Sequence, residues 1–251
     1  MADHQSEIEA FGSNDDFWLF GYGSLIWKPP PHYDQRIPGY IEGYVRRFWQ
    51  RYACTEQISA ETIYHSEDHR GTPEAPGRVV TLIERAFWAT LSDSHTAHPR
   101  VWGAAYHIPT QHVAAVRSYL DLREINGYSI QFTPFYTVGG AEETGKSIKC
   151  LVYIGLPENP QFLGAQDPQR LAEKILESKG PSGENKEYLY NLETALLGLS
   201  EDSSDSHISD LVRRCRALEE ETGGVDGTGS GVEGERLHRV GSTEEQEEVE
   251  K

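Results

Sequence analysis

The order in which two hydrophobic periods follow one another constrains this chain more than any other feature. As far as Ile154, apolar residues gather in short runs rich in Val, Ile, Tyr, Phe and Trp, bounded by Gly and Pro. The runs are Phe17–Phe20, Gly39–Trp49, Arg78–Glu84, Val101–Ile108, Tyr128–Thr137 and Ser147–Ile154, and each reads as a strand. One helical stretch interrupts them, "PTQHVAAVRSYLDLRE", with Thr110 as the expected N-cap. After Pro157 the period turns helical, over Asp167–Lys179, Asn185–Leu199 and about His207–Leu218. Six strands around one early helix, with the other helices packed late, predict an α+β domain with a partly closed sheet. Two stretches, Ala53–His65 and Arg85–Pro99, read as insertions between strands.

The ends are different material. Residues 219–251 hold eleven acidic and three basic residues, a net −8 of the chain's −17, with seven glycines and few aliphatics. Such a segment buries too little apolar surface to offset its ordering entropy. The expected organisation is therefore a flexible N-terminus over 1–15, one domain over 16–218 and a disordered acidic tail over 219–251. The negative charge argues against a nucleic-acid partner, because phosphate backbones need a basic surface. No apolar run is long enough to span a bilayer, and the polar, acidic start does not read as a signal peptide. Cys54, Cys150 and Cys215 are an odd, widely spaced set. Reduced thiols in a cytoplasmic or nuclear compartment are expected.

Several motifs invite chemistry and do not support it. Gly140 to Ser147 fits G-x-x-x-x-G-K-[ST] to the letter, but "IKCLVYIG" follows it and reads as a strand. A P-loop needs a helix there to face the phosphates. His65/His69 and His95/His98 have ligand-like spacing yet fall in polar insertions, so surface loop histidines are expected. Ser24 lacks the nucleophile-elbow pattern and an evident local base.

Two features point further. In "FWLFGYGSLIW" (17–27) a strand ends in Gly-Tyr-Gly-Ser, where glycines are out of place unless something approaches the backbone closely. That approach is either a plain tight turn or a cradle of backbone N–H groups for a small anion. In the early helix, Val113, Val116 and Leu120 share a face, and four residues further on that stripe reaches Glu124. A carboxylate there is expected to titrate high, since burial and the helix C-terminus both disfavour its charge. It is then either a general base or half of an ion pair with Arg123, Arg78 or another arginine. Asp121, on a neighbouring face, is the weaker rival.

The blocks "FGYGSLIWKP", "GYVRRFWQ", "HRGTPEAPGRVVTL", "VWGAAYHIP", "YLDLREINGY", "LVYIGLPENPQFLG" and "GPSGENKEYLYNL", in order from about Trp18 to Leu199, resemble the ChaC family of glutathione-specific γ-glutamylcyclotransferases. The resemblance implies a γ-glutamylcyclotransferase-like fold, a small mixed β-barrel with flanking helices. It also implies a lyase that cleaves glutathione into 5-oxoproline and Cys-Gly without metal or organic cofactor. By motif, Tyr22, Gly23, Ser24 and Leu25 would hold the γ-glutamyl group and Glu124 would be the acid/base. Arg78 and Tyr153 fall in matching blocks as expected pocket residues. Two alternatives stay open: a cyclotransferase for other γ-glutamyl amino acids or amines, and a non-catalytic γ-glutamyl-binding protein. Protein partners are not indicated.

Overall fold

A computed structural model describes residues 16–52, 70–72, 74–123, 128–137 and 147–223. The 1–15 segment, the insertion 53–65, the P-loop-like stretch up to Lys146, His65, His69, Cys54 and Glu124 lie outside the described residues.

Five strands close into a barrel in the order β1–β5–β2–β6–β7. They are β1 (Phe17–Gly21), β2 (Gln35–Glu42), β5 (Arg100–Ile108), β6 (Tyr128–Thr137) and β7 (Ile148–Gly155). Four pairings are antiparallel, and a parallel contact of β1 with β7 at Leu19 and Leu151 completes the ring. A two-stranded ribbon, β3 (Tyr44–Tyr52) and β4 (Gly77–Glu84), stands outside it, with a bulge between Arg47 and Gln50. A short helix α1 (Arg85–Trp88) follows β4, and α2 (Thr110–Arg123) links β5 to β6. Helix α3 (Pro168–Glu177), the small hairpin β8–β9 (Lys179–Gly180 and Gly183–Glu184), α4 (Asn185–Leu197) and α5 (Ser206–Gly223) complete the chain. No helix of the described residues is long and apolar enough to cross a membrane. This is an α+β fold with a closed mixed barrel, as the family resemblance implied.

All five residues of β1 are buried, because both faces of the strand are covered. Trp18 and Phe20 join the large cluster that includes the ribbon and the C-terminal helices. Phe17 and Leu19 join a second cluster with Val113, Val116 and Leu120 of α2, so the helical stripe read from spacing does face the core. Helix α3 begins after Asp167, whose carboxylate caps the N–H groups of Gln169 and Arg170. Helix α2 starts at Thr110 itself, and the His112 N–H donates to the Pro109 carbonyl.

Three further expectations change. The run Gly39–Trp49 is two strands, broken at Gly43, whose φ of +86° turns the chain into the ribbon. Helix α5 continues to Gly223, five residues into the stretch read as tail. Glu219 there accepts from the Tyr190 hydroxyl and pairs with Lys186.

The third change concerns the two histidines of the 85–99 insertion, both expected on the surface. Asp93 accepts from Arg47 Nε at 2.6 Å and from the Trp88 indole at 2.8 Å, with Arg47 only 2% exposed. His98 is exposed, but His95 is largely buried and joins a relay. The Phe48 N–H donates to His207 Nε2 at 3.1 Å, so a neutral His207 carries its proton on Nδ1. That proton points at His95 Nδ1, 3.3 Å away, and His95 Nε2 in turn donates to Asp210 at 3.0 Å. Within the insertion the Asp93 and His95 side chains are thus covered by pairing, while much of the rest stays exposed.

The relay has a pH consequence. Burial, then the Arg47 charge, pushes the His207 imidazole down to about 3 from its usual 6.5. The unfolded chain therefore takes up a proton below pH 6.5 that the folded chain refuses, and stability falls as pH drops from 6.5 toward 3. One pH unit below 6.5 this amounts to about 1.4 kcal/mol, or roughly 3–6 °C in Tm for a domain of this size. Thermal melts at pH 7.5 and 5.5 should show that loss. His207→Gln, which can still accept from Phe48 N–H but does not titrate, should lose less over the same interval.

Candidate active site

The site grows from the end of β1. After Gly21 the chain turns through Tyr22 and Gly23 into a single 3-10 turn, Ser24–Ile26. The Ile26 N–H closes on the Gly23 carbonyl at 2.9 Å, and the N–H groups of Trp27 and Lys28 close on the Ser24 carbonyl. The glycines are explained by the protein itself. A Cβ on Gly21 would lie 2.6 Å from the Leu25 Cβ. One on Gly23 would lie 2.9 Å from a Val80 methyl and 3.0 Å from the Tyr188 hydroxyl. The turn is wedged between β4 and α4, and only a hydrogen fits on either side.

The carbonyls of this turn are gripped from behind. Arg46 Nη1 donates to the Tyr22 carbonyl at 2.7 Å. The Tyr106 hydroxyl donates to the Leu25 carbonyl at 2.6 Å and is itself supported by Arg36 Nε at 3.3 Å. Arg36 Nη2 reaches the Ile26 carbonyl at 3.4 Å. In a trans peptide the C=O and the following N–H point in opposite directions. Tying the Tyr22 carbonyl to Arg46 therefore turns the Gly23 N–H to the other side. Among the described residues the Leu25 N–H has no backbone acceptor. The turn is held rigidly while amides face away from its supports, which is the arrangement an anion cradle needs.

Of the residues expected in the pocket, Tyr22, Gly23, Ser24 and Leu25 form this turn. Tyr153 on β7 is 7% exposed and belongs to the same cluster as Leu25, Tyr106 and the apolar stripe of α2. Arg78 stands apart on β4, two residues before the Val80 that abuts Gly23, and therefore on the same strand face. Its guanidinium donates to the Pro76 and Gly77 carbonyls and to Gln166. Its backbone N–H and C=O are clamped by the fully buried Asn185 side chain at 2.7 Å each. Burial, then the nearby Arg51, lowers the Arg78 pKa.

Sequence reasoning missed Arg46, Arg36, Tyr106 and Asn185. The one signal for Arg46 is its place between Val45 and the Phe48–Trp49 pair of a strand, since an arginine drawn into the core there must find several acceptors.

Residues 17–218 match the family described as ChaC-like protein. The chain belongs to the ChaC-like family. A glutathione-specific gamma-glutamylcyclotransferase of Schizosaccharomyces pombe is 44% identical to it over 217 residues, covering 86% of this chain and all of that one. The protein of the same name from Saccharomyces cerevisiae is 37% identical over 214 residues, covering 73% and 86%. Glutathione-specific gamma-glutamylcyclotransferase 1 of Homo sapiens is 33% identical over 203 residues, covering 80% and 79%. Among solved structures, the selenomethionine-labelled glutathione-specific enzyme from yeast superposes with a TM-score of 0.68 at 33% identity. That superposition covers 81% of this chain and 97% of the yeast one. The ChaC-like match begins at β1 and ends within α5, so it takes in every element of the barrel, the ribbon and the helical layer.

Proposed function

We infer that this ChaC-like chain is a lyase that cleaves glutathione into 5-oxoproline and Cys-Gly. The observation that carries the reading furthest is the turn Tyr22–Leu25, tied by its carbonyls to Arg46 and Tyr106, backed by Arg36 on the Ile26 carbonyl, with Leu25 packed in one cluster with Tyr153. The substrate's own α-amine attacks its γ-carbonyl carbon and closes a five-membered ring, and the bond from that carbon to the cysteinyl nitrogen breaks. The two products together contain the atoms of glutathione and no others, so neither water nor an electron acceptor enters. The protein needs no nucleophile of its own. It must fold the γ-glutamyl arm so that amine and carbonyl meet, an effect of proximity. It must also move one proton from the ammonium to the departing nitrogen, which a single carboxylate does by accepting and then donating.

In this reading the backbone N–H groups of the turn hold the α-carboxylate, Ser24 adds its hydroxyl, and Tyr153 and Arg78 shape the pocket. Glu124, four residues beyond Leu120 in the sequence, is the acid/base. The reaction draws on the glutathione of the cytoplasm or nucleus. The test is to incubate the protein with glutathione, omitting metals and nucleotides, and to follow 5-oxoproline and Cys-Gly by mass spectrometry. Equimolar release of both is expected. Turnover of γ-glutamyl-alanine but not glutathione would move the substrate to the simpler γ-glutamyl amino acids. Binding with no product at all would favour a non-catalytic γ-glutamyl-binding protein.

A further inference from the structure

Arg51 and Arg78 sit directly opposite one another in the β3–β4 ladder, so their side chains leave the same face of the ribbon. Among the described residues neither has a carboxylate partner, in a chain with 40 acidic and 23 basic residues. Two like charges held side by side repel one another, and an anion bound between them relieves that repulsion. The Arg78 guanidinium is fixed by the carbonyls of Pro76 and Gly77, and its Nη2 has no acceptor among the described residues. Gln166, whose Oε1 accepts from Arg78 Nε, has its Nε2 buried without a partner. A buried amide N–H left unpaired costs free energy until an acceptor arrives. The Arg51 guanidinium, Arg78 Nη2 and Gln166 Nε2 thus offer donors, and the Gln166 acceptor oxygen is already taken by Arg78 Nε.

Their position gives the anion a size. Val80, two residues along the same face, closes on Gly23 of the active-site turn. Two residues of strand span about 7 Å. Two residues of extended peptide, the Cys-Gly half of glutathione, also span about 7 Å. We propose that the Arg51–Arg78 pair, with the Gln166 amide, binds the carboxylate at the glycine end of glutathione and selects it over γ-glutamyl substrates that lack this group. The proposal rests on the reading that Tyr22–Leu25 holds the γ-glutamyl end.

The probe is glutathione against its glycine amide, which is the same molecule without the terminal charge. Wild type should show a KM at least about tenfold lower for glutathione than for the amide, with a preference that shrinks as salt is added. Arg51→Gln changes an exposed residue and should raise KM for glutathione several-fold, with little change for the amide. Arg78→Gln should do so more strongly, and Arg78→Lys should restore part of the preference. The proposal is overturned if wild type treats the two compounds alike, or if the variants raise both KM values equally. If wild type turns over no γ-glutamyl compound, the cyclotransferase reading falls by itself. Calorimetric titration with the same two compounds then decides the carboxylate site. A glutathione preference that Arg51→Gln removes supports the site, and no preference overturns it.

Discussion

Glu124→Gln should reduce kcat on glutathione by about 10²–10⁴-fold, the range in which a positioned general acid/base contributes. KM should change little and Tm should move by less than about 3 °C. The expectation follows from the chemistry and from spacing. Gln keeps the size and hydrogen-bonding reach of Glu but cannot take the ammonium proton, so the substrate amine stays cationic and unreactive. Val113, Val116 and Leu120 are 3%, 0% and 0% exposed, and in the sequence Glu124 follows Leu120 at the same spacing of four that separates Val116 from Leu120. Glu124→Asp keeps the proton acceptor but draws it back by one methylene, so its kcat should fall between the two. A wild-type rate that declines toward acid pH should lose that limb in Glu124→Gln. Wild-type-like turnover by a folded Glu124→Gln would remove the acid/base assignment and leave Asp121 as the next residue to replace.

How much of this was legible in the sequence depends on whether the cause of a feature is local. Strand β1 and the buried stripe of α2 were readable because a few adjacent residues determine each one. The break at Gly43 was hidden by β-like residues on both sides, and only its positive φ separates barrel from ribbon. The burial of His95 was illegible for another reason. A polar insertion reads as surface unless its partners are known, and here they come from Arg47, His207 and Asp210, far away along the chain. The glycines of the active-site turn were a half-legible case. Sequence showed that something lies close to the backbone there, and only the fold shows that Leu25, Val80 and Tyr188 are what lies close. The amides that remain available are a consequence of three distant donors, Arg46, Tyr106 and Arg36, which no local pattern announces.

Arg46→Met should test whether that support positions the turn, and its effect on stability should be large. Arg46 is 2% exposed and joins three parts of the fold, donating to the carbonyls of Tyr22 and Trp102 and to Asp205 Oδ2 at 3.1 Å. Burial alone would raise the Asp205 carboxyl, yet it lies below the usual range because Arg46, and behind it Arg47, hold it charged. Removing Arg46 leaves that carboxylate largely buried with its closest cation gone, a change that costs about 3–5 kcal/mol. For a domain of this size Tm should fall by roughly 6–20 °C. A loss of activity in the single variant would therefore be ambiguous, and a second substitution separates the causes. Asp205 also caps α5, with Oδ1 accepting from the His207 and Ile208 N–H groups. Asp205→Asn retains that oxygen and removes the charge. Arg46→Met with Asp205→Asn should regain much of the lost Tm while kcat/KM on glutathione stays at least about tenfold down, because the Tyr22 carbonyl still lacks its donor and the Gly23 N–H is free to turn. If the double variant recovered activity together with stability, Arg46 would be a scaffold residue only, and the orientation of the turn would have to come from Tyr106 and the wedge at Gly23.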